Sequence, residues 1–184
     1  MKTVFILLLF SSFLSAKMKL DSGWELVEAD LEYTVNFPLK TIKAHNLVAK
    51  GKAICEKDPC QFLVGAELAK FDSGDRNRDL HMRETTKAAL YPVVSVSGAL
   101  PQNIENEAVE IELDVDFGGV KKHYSKLPFI FQQKDDRLDV KGEITISLKD
   151  HQMKAPSLLG VSIDDKVPLK IKTQWKRTMK KVGT

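Results

Sequence analysis

The chain has 184 residues, 43% of them hydrophobic and 29% charged, which is enough for one ordinary domain with a sizeable core. Its formal net charge is +3, and one of those charges is Lys2, in a segment read below as a removable leader. So small a surplus does not imply a nucleic-acid partner.

Lys2 is followed by the apolar run Val4 to Phe10 and then by Ser11, Ser12, Phe13, Leu14, Ser15 and Ala16. A short positive end, an apolar stretch and small residues are the order of a secretory signal peptide. The stretch is shorter than the roughly 18 residues that span a bilayer, and Lys17 and Lys19 follow at once. Residues 1–16 are therefore expected to be a signal peptide cleaved after Ala16, leaving 17–184 as one exported domain with no transmembrane segment. No Cys lies there to carry a lipoprotein anchor.

Beyond the leader the chain keeps returning to period-2 alternation, the mark of a strand with one buried and one wet face. In the first run Val27, Ala29, Leu31, Tyr33, Val35 and Phe37 alternate with Glu28, Asp30, Glu32, Thr34 and Asn36. A second run, Asn46 to Cys55, puts Leu47, Ala49, Gly51, Ala53 and Cys55 on one face. Cys55 and Cys60 bracket Glu56-Lys57-Asp58-Pro59, and Asp-Pro is turn chemistry. In an oxidising exported compartment the pair is expected to be a disulfide at a hairpin mouth. Two free thiols and a zinc half-site lacking its other half are the alternatives. A third run, Cys60 to Lys70, carries Gly65 and Ala66 as further small residues.

Asp75 to Leu90 has no alternation and many helix formers, so one short helix is expected near residues 77–90. Asp75 or Asn77 would cap its start and Tyr91-Pro92 would stop it. Five further strand runs follow: Val93 to Leu100, Val109 to Phe117, His123 to Phe131, Leu138 to Leu148 and Val167 to Trp175. Turn signals at Pro38, Asp58-Pro59, Pro101 to Asn106, Gly118-Gly119 and Asp135-Asp136 separate most of the runs. Pro128 and Pro168 lie inside runs, so those strands should be at an edge or bulged there. The basic end Lys176, Arg177, Lys180 and Lys181 reads as a frayed, solvated tail, with a membrane-surface contact as the rival.

Eight alternating antiparallel strands can close into a barrel, which removes exposed edges and gives one face inside and one outside. A two-sheet sandwich shares the pattern, and so does an outer-membrane barrel with its apolar face toward lipid. Glu28, Asp30, Glu32, Glu110, Glu112, Asp114, Asp116, Lys141, Glu143, Lys170 and Lys172 would crowd a narrow lumen if they pointed inward. The expected architecture is therefore an all-β, eight-stranded antiparallel, lipocalin-like barrel with a greasy interior. Eight strands suit an interior filled by side chains as well as one holding a small ligand.

The segment from Asp72 to Arg83 (DSGDRNRDLHMR), followed by Tyr91-Pro92, resembles the signature of the YceI-like family. Trp24 to Phe37, Val109 to Leu127 and Gly160 to Ile171 resemble that family's opening strand, central strand pair and closing strand. Two stretches depart from its pattern: Thr85 to Leu90 and Asp114 to Lys122. The resemblance implies a periplasmic lipocalin-like barrel that binds polyisoprenoid or isoprenoid-quinone molecules along its axis, in a family with no established catalytic activity, and no cofactor is expected.

The residues expected to face such a lipid are Val109, Ile111, Val115, Phe117, Phe129, Phe131, Ile144, Ile146, Leu169 and Ile171. Arg78, Asp79 and His81 are expected either to anchor the helix to the barrel or to line the cavity mouth. The four histidines, His45, His81, His123 and His151, show no paired spacing, so no metal site is expected. There is no GxSxG, phosphate-binding loop or dinucleotide fingerprint to support an enzyme. A ligand-free, filled barrel serving as a stress-related or protein-interaction module is the alternative function, and a homodimer is compatible with either.

Overall fold

A computed structural model describes residues 21–37, 40–102, 108–158 and 161–180. The expected leader and its cleavage site, the turn at Pro38, residues 103–106 and Lys181 fall outside the described residues. The strands are β1 (Asp21–Phe37), β2 (Lys40–Asn46), β3 (Lys50–Ile54), β4 (Cys60–Glu67), β5 (Val93–Leu100), β6 (Ala108–Phe117), β7 (Val120–Lys134), β8 (Arg137–Ser147), the two-residue pieces β9 (Ser157–Leu158) and β10 (Val161–Ser162), and β11 (Lys166–Lys180). One helix, α1 (Arg76–Thr85), lies between β4 and β5.

The main sheet runs β11-β8-β7-β6-β5-β4-β3-β1-β2, every pairing in it is antiparallel, and β11 also pairs with β1. That last pairing closes the sheet. Both β2 and β3 lie against β1, at residues 31–37 and 23–25 respectively, and so form two halves of one interrupted wall strand. Eight wall strands thus surround one axis, as the alternation predicts. The interruption falls at Leu47–Ala49, where Asn46 is fully buried and its side chain donates to Glu67 O (3.0 Å) and accepts from Val48 N (3.0 Å). The expected strand from Asn46 to Cys55 is therefore two strands beginning at Lys40, and Leu47, expected inward, is exposed where the chain leaves the ladder.

A bulge changes the phase of β1. Leu26 pairs with Trp175 and Glu28 with Gln174, so Val27 has no partner on β11. An extra residue turns the side chains that precede it to the other face. Leu26 and Leu31 are both buried, while Val27, expected inward, is 47% exposed. Gly65 likewise faces outward beneath Val93 while its neighbour Ala66 is buried inside.

Strands that carry charge of one sign lie beside strands of the other. Glu25, Asp30 and Glu32 of β1 stand opposite Lys176, Lys172 and Lys170 of β11, and Lys170 stands opposite Glu143 of β8. Asp114 of β6 pairs with Lys121 (3.0 Å) and His123 (3.0 Å) of β7. Each exposed pair is worth little. Together they place the charged rows outside, opposite to the arrangement of a lipid-facing barrel.

The two interior prolines sit where pairing on one side stops. Beyond Pro128 toward its start β7 has no β8 partner, and at Pro168 the β11–β1 ladder has already ended at Leu169. Lys176, Arg177 and Lys180 belong to β11 and are not a frayed tail. β11 continues to Lys180, and the Arg177 guanidinium lies 4.8 Å from the Trp24 ring centre.

His151, fully buried, packs its ring against Phe117 and Tyr124. Its Nδ1 donates to the Val120 carbonyl (2.9 Å), and its Nε2 lies 3.0 Å from the Tyr124 hydroxyl.

Candidate functional site

Alternation sends the apolar side chains of all eight wall strands to the axis, and they do not meet there. They enclose an elongated cavity of about 700 Å³. Its wall takes Leu31 and Tyr33 from β1, Phe62 and Val64 from β4, Val94 and Val96 from β5, Leu113 from β6, Leu138 and Val140 from β8, and Trp175 from β11. Of the residues expected to face a ligand, Ile111, Val115, Phe117, Phe129, Phe131, Ile144, Ile146, Leu169 and Ile171 lie on this wall. Val109 does not: it pairs in register with Phe129, whose larger ring reaches the cavity, and packs into the surrounding core instead.

Sequence reasoning missed Trp24, Tyr33, Phe62 and Trp175 as wall residues. Tyr33 was within reach, because it belongs to the same alternating run as Leu31. Trp175 was less so. Its ring crosses β1 to reach Gly51, where an added Cβ would lie 2.7 Å from Trp175 Cη2.

One end of the cavity is lined by Trp24, Trp175, Ala53, Leu100, Gln102 and Cys60, the last in a disulfide with Cys55. The bond holds the hairpin whose Cys55 carbonyl accepts from Gln102 Nε2 (3.0 Å), and Asp58 accepts from Gln102 N (3.1 Å). The polar groups here have partners: Thr173 Oγ1 accepts from Trp175 Nε1 (3.0 Å), and Gln102 is bound as described.

The other end is the helix end. Asp75 caps α1, its carboxylate accepting from Asn77 N (2.9 Å) and Arg78 N (3.2 Å). These backbone bonds, that of Arg78 first, together with the charges of Arg78 and Lys40 hold its carboxyl below the usual range. The helix stops at Thr85, short of the expected Leu90, because the Thr86 hydroxyl donates back to Met82 O (2.9 Å) and Lys87 takes a left-handed φ of 55°.

Arg78, Asp79 and His81 separate by role. The buried Asp79 carboxylate accepts from Ser73 N (3.1 Å), and Arg78 donates to Ser73 Oγ (3.2 Å) and Ser73 O (2.8 Å), so these two tie the helix to the loop before it. His81 is an exposed rim residue whose Nδ1 meets Glu84 at 3.2 Å. Arg78 and His81 also line the cavity opening, together with Lys40, Met82, Glu84 and Thr85. Within the wall just beneath, burial pushes the Tyr33 phenol up to about 12, the Asp79 carboxylate adding to the shift and Arg78 opposing it. Tyr33 therefore remains a protonated donor at any physiological pH.

Such a site can hold a long apolar molecule with one end near polar groups. Among the described residues no cluster of His, Cys, Asp or Glu could hold a metal ion, and no helix is long and apolar enough to cross a membrane.

A sequence profile of the family described as YceI-like domain matches residues 28–175. Among solved structures, the chain resembles a polyisoprenoid binding domain from Saccharophagus degradans at 14% identity, with a TM-score of 0.69 over 84% of this chain and 98% of that one. It resembles BcnA of Burkholderia cenocepacia at 12% identity and a TM-score of 0.67, covering 79% and 95% of the two chains. The Campylobacter jejuni YCEI protein is similar at 17% identity and a TM-score of 0.51, covering 66% and 72%. No curated protein matches the sequence.

Proposed function

The chain belongs to the YceI-like domain family, and from that premise we propose that it is a binding protein that holds a polyisoprenoid, an isoprenoid quinone or a similar long lipid inside its barrel without transforming it. The observation that carries this reading is the hollow, almost wholly apolar interior of about 700 Å³. The name of the Saccharophagus degradans domain as polyisoprenoid-binding supports the choice of lipid class.

Magnitudes set the length of the guest. Burying apolar surface contributes about 0.8 kcal/mol per CH₂, whereas association costs on the order of 4 to 15 kcal/mol. A guest held by this wall alone needs well over ten carbons. From Trp24 to Phe37 the lining extends thirteen positions along β1, on the order of 30 Å along the barrel axis at usual strand rise and tilt. The proposed contacts are Ile111, Val115, Phe117, Phe129, Phe131, Ile144, Ile146, Leu169 and Ile171, joined by Tyr33, Phe62, Val96 and Trp175.

Export to the periplasm is part of the same proposal. A disulfide suits an oxidising compartment, and the leader-like order of residues 1–16 agrees with it. The filled-barrel alternative has no support in an interior that side chains leave open.

Native mass spectrometry of protein purified from its own cells, with a chloroform extract analysed in parallel, tests the reading. A stoichiometric long-chain lipid is expected, and delipidated protein should melt at a higher temperature when geranylgeraniol is added. Protein that is folded, empty and indifferent to that addition would refute it.

A further inference from the structure

The two ends of the cavity differ in unsatisfied hydrogen-bonding capacity, and the difference gives the guest a direction. At the disulfide end Thr173 and Gln102 are bound to Trp175 and Cys55. At the helix end Tyr33 and Lys40 line the space, and among the described residues neither side chain makes a hydrogen bond or close ion pair, the Lys40 charge being felt only at a distance by Asp75. Arg78 stands beside them, two of its nitrogens held by Ser73 and its Nη1 3.6 Å from Asp75. These groups come from β1, β2 and α1, and each is a donor. The carboxylates nearby are occupied: Asp75 takes two helix amides, Asp79 takes Ser73 N, and Glu84 meets His81. The lining itself therefore presents Lys40, Arg78 and the Tyr33 phenol beside the Glu84 carboxylate, with Asp75 and Asp79 set behind it.

Resting on the lipid-binding reading above, we propose that the guest is amphipathic and lies in one orientation, with an anionic oxygen head, phosphate or carboxylate, at Lys40, Arg78 and Tyr33 and its tail against Trp24 and Trp175. The half-buried Tyr33 and Arg78 and the exposed Lys40 offer donors that a head group can take over from water, and a charged acceptor makes the stronger bonds with them.

Three probes with one chain separate the possibilities: geranylgeranyl phosphate, geranylgeranoic acid and geranylgeraniol. Charge-assisted hydrogen bonds are worth enough for the wild-type chain to prefer an anionic probe to the alcohol on the order of tenfold. Tyr33→Phe, which keeps the ring against Phe71, and Lys40→Gln, on an exposed side chain, should each reduce that preference several-fold by weakening the anionic probes more than the alcohol. The tighter of the two anions identifies the head as phosphate or carboxylate.

The chain has two tryptophans, Trp24 and Trp175, both at the far end, so orientation has its own readout. A C18 carboxylic acid brominated near its methyl end should quench their fluorescence, and one brominated near the carboxyl group should not. Equal affinity for all three probes, a preference that survives in the double variant, or quenching by the head-proximal bromine overturns the inference while the lipid-binding reading stands. Binding of none of the probes overturns both.

Discussion

The ring of Phe129 lies over Gly142 on the neighbouring strand, so that a Cβ added to Gly142 would fall 2.5 Å from Phe129 Cδ1. The glycine thus belongs to the inward alternation of β8 as the floor on which an aromatic wall residue rests. Gly98 plays the same part under its register partner Phe62, with an added Cβ 2.9 Å from the ring.

Gly142→Ala is expected to destabilise the barrel by about 1–3 kcal/mol through overpacking. Gly65→Ala is the control, since the nearest atom to its added Cβ is Val93 Cγ1 at 3.4 Å. Urea denaturation of both variants checks the claim, and an equal effect of the two would show that Phe129 yields freely.

Ala49 and Ala53 face the interior from the same interrupted wall strand, but only Ala53 borders the cavity. Ala49→Leu should overpack the core at a cost of about 1–3 kcal/mol. Ala53→Leu should keep its stability within about 1.5 kcal/mol and lose lipid affinity instead. Melting curves with and without geranylgeraniol separate the two outcomes, and parallel behaviour of the pair would contradict the placement of the cavity wall.

The bond between Cys55 and Cys60 closes a short loop, for which chain-entropy arguments give a stabilisation of about 2 kcal/mol. Reduction should lower the unfolding free energy by that amount, with a lower urea midpoint, and add two hydrogen masses to the intact protein. The double variant Cys55→Ser/Cys60→Ser should match reduced protein, and a variant as stable as the oxidised chain would remove the loop from the list of stabilising features.

Three carboxylates are held below their ordinary values: Glu32 chiefly by the Lys43 hydrogen bond, Asp75 by the Arg78 amide, and Asp114 by the hydrogen bonds of His123 and then Lys121. A depressed folded value stabilises above the unfolded one, and that contribution is lost as pH falls through the folded value. It is therefore complete above 4.5 for Glu32 and 3.8 for the two aspartates, and declines below those values. Glu32→Gln/Asp75→Asn/Asp114→Asn should show a shallower acid decline in melting temperature than the parent chain. Superimposable acid limbs would count against the assignment.

Much of the wall was legible because period-2 alternation is a local property: residues such as Ile144 and Ile146 need only their own strand to declare which side they bury. The Asp75 cap was legible for the same reason. Val27 and Leu47 were not, since a bulge and a break in the ladder are set by what the partner strand does opposite them. Nor was the exclusion of Val109 from the wall, which depends on the size of Phe129 across the register.

The sequence by itself determined the antiparallel strands, the single capped helix and the separation of a greasy face from a charged one, because each follows from neighbours a few residues apart. Only the tertiary structure decided that the interior is hollow, since whether small residues such as Ala53 interlock with large ones or leave room depends on distances across the closed barrel. It also decided that Tyr33, Lys40 and Arg78 meet at one end. They lie on three elements whose meeting is set by strand register and closure, which no local pattern records.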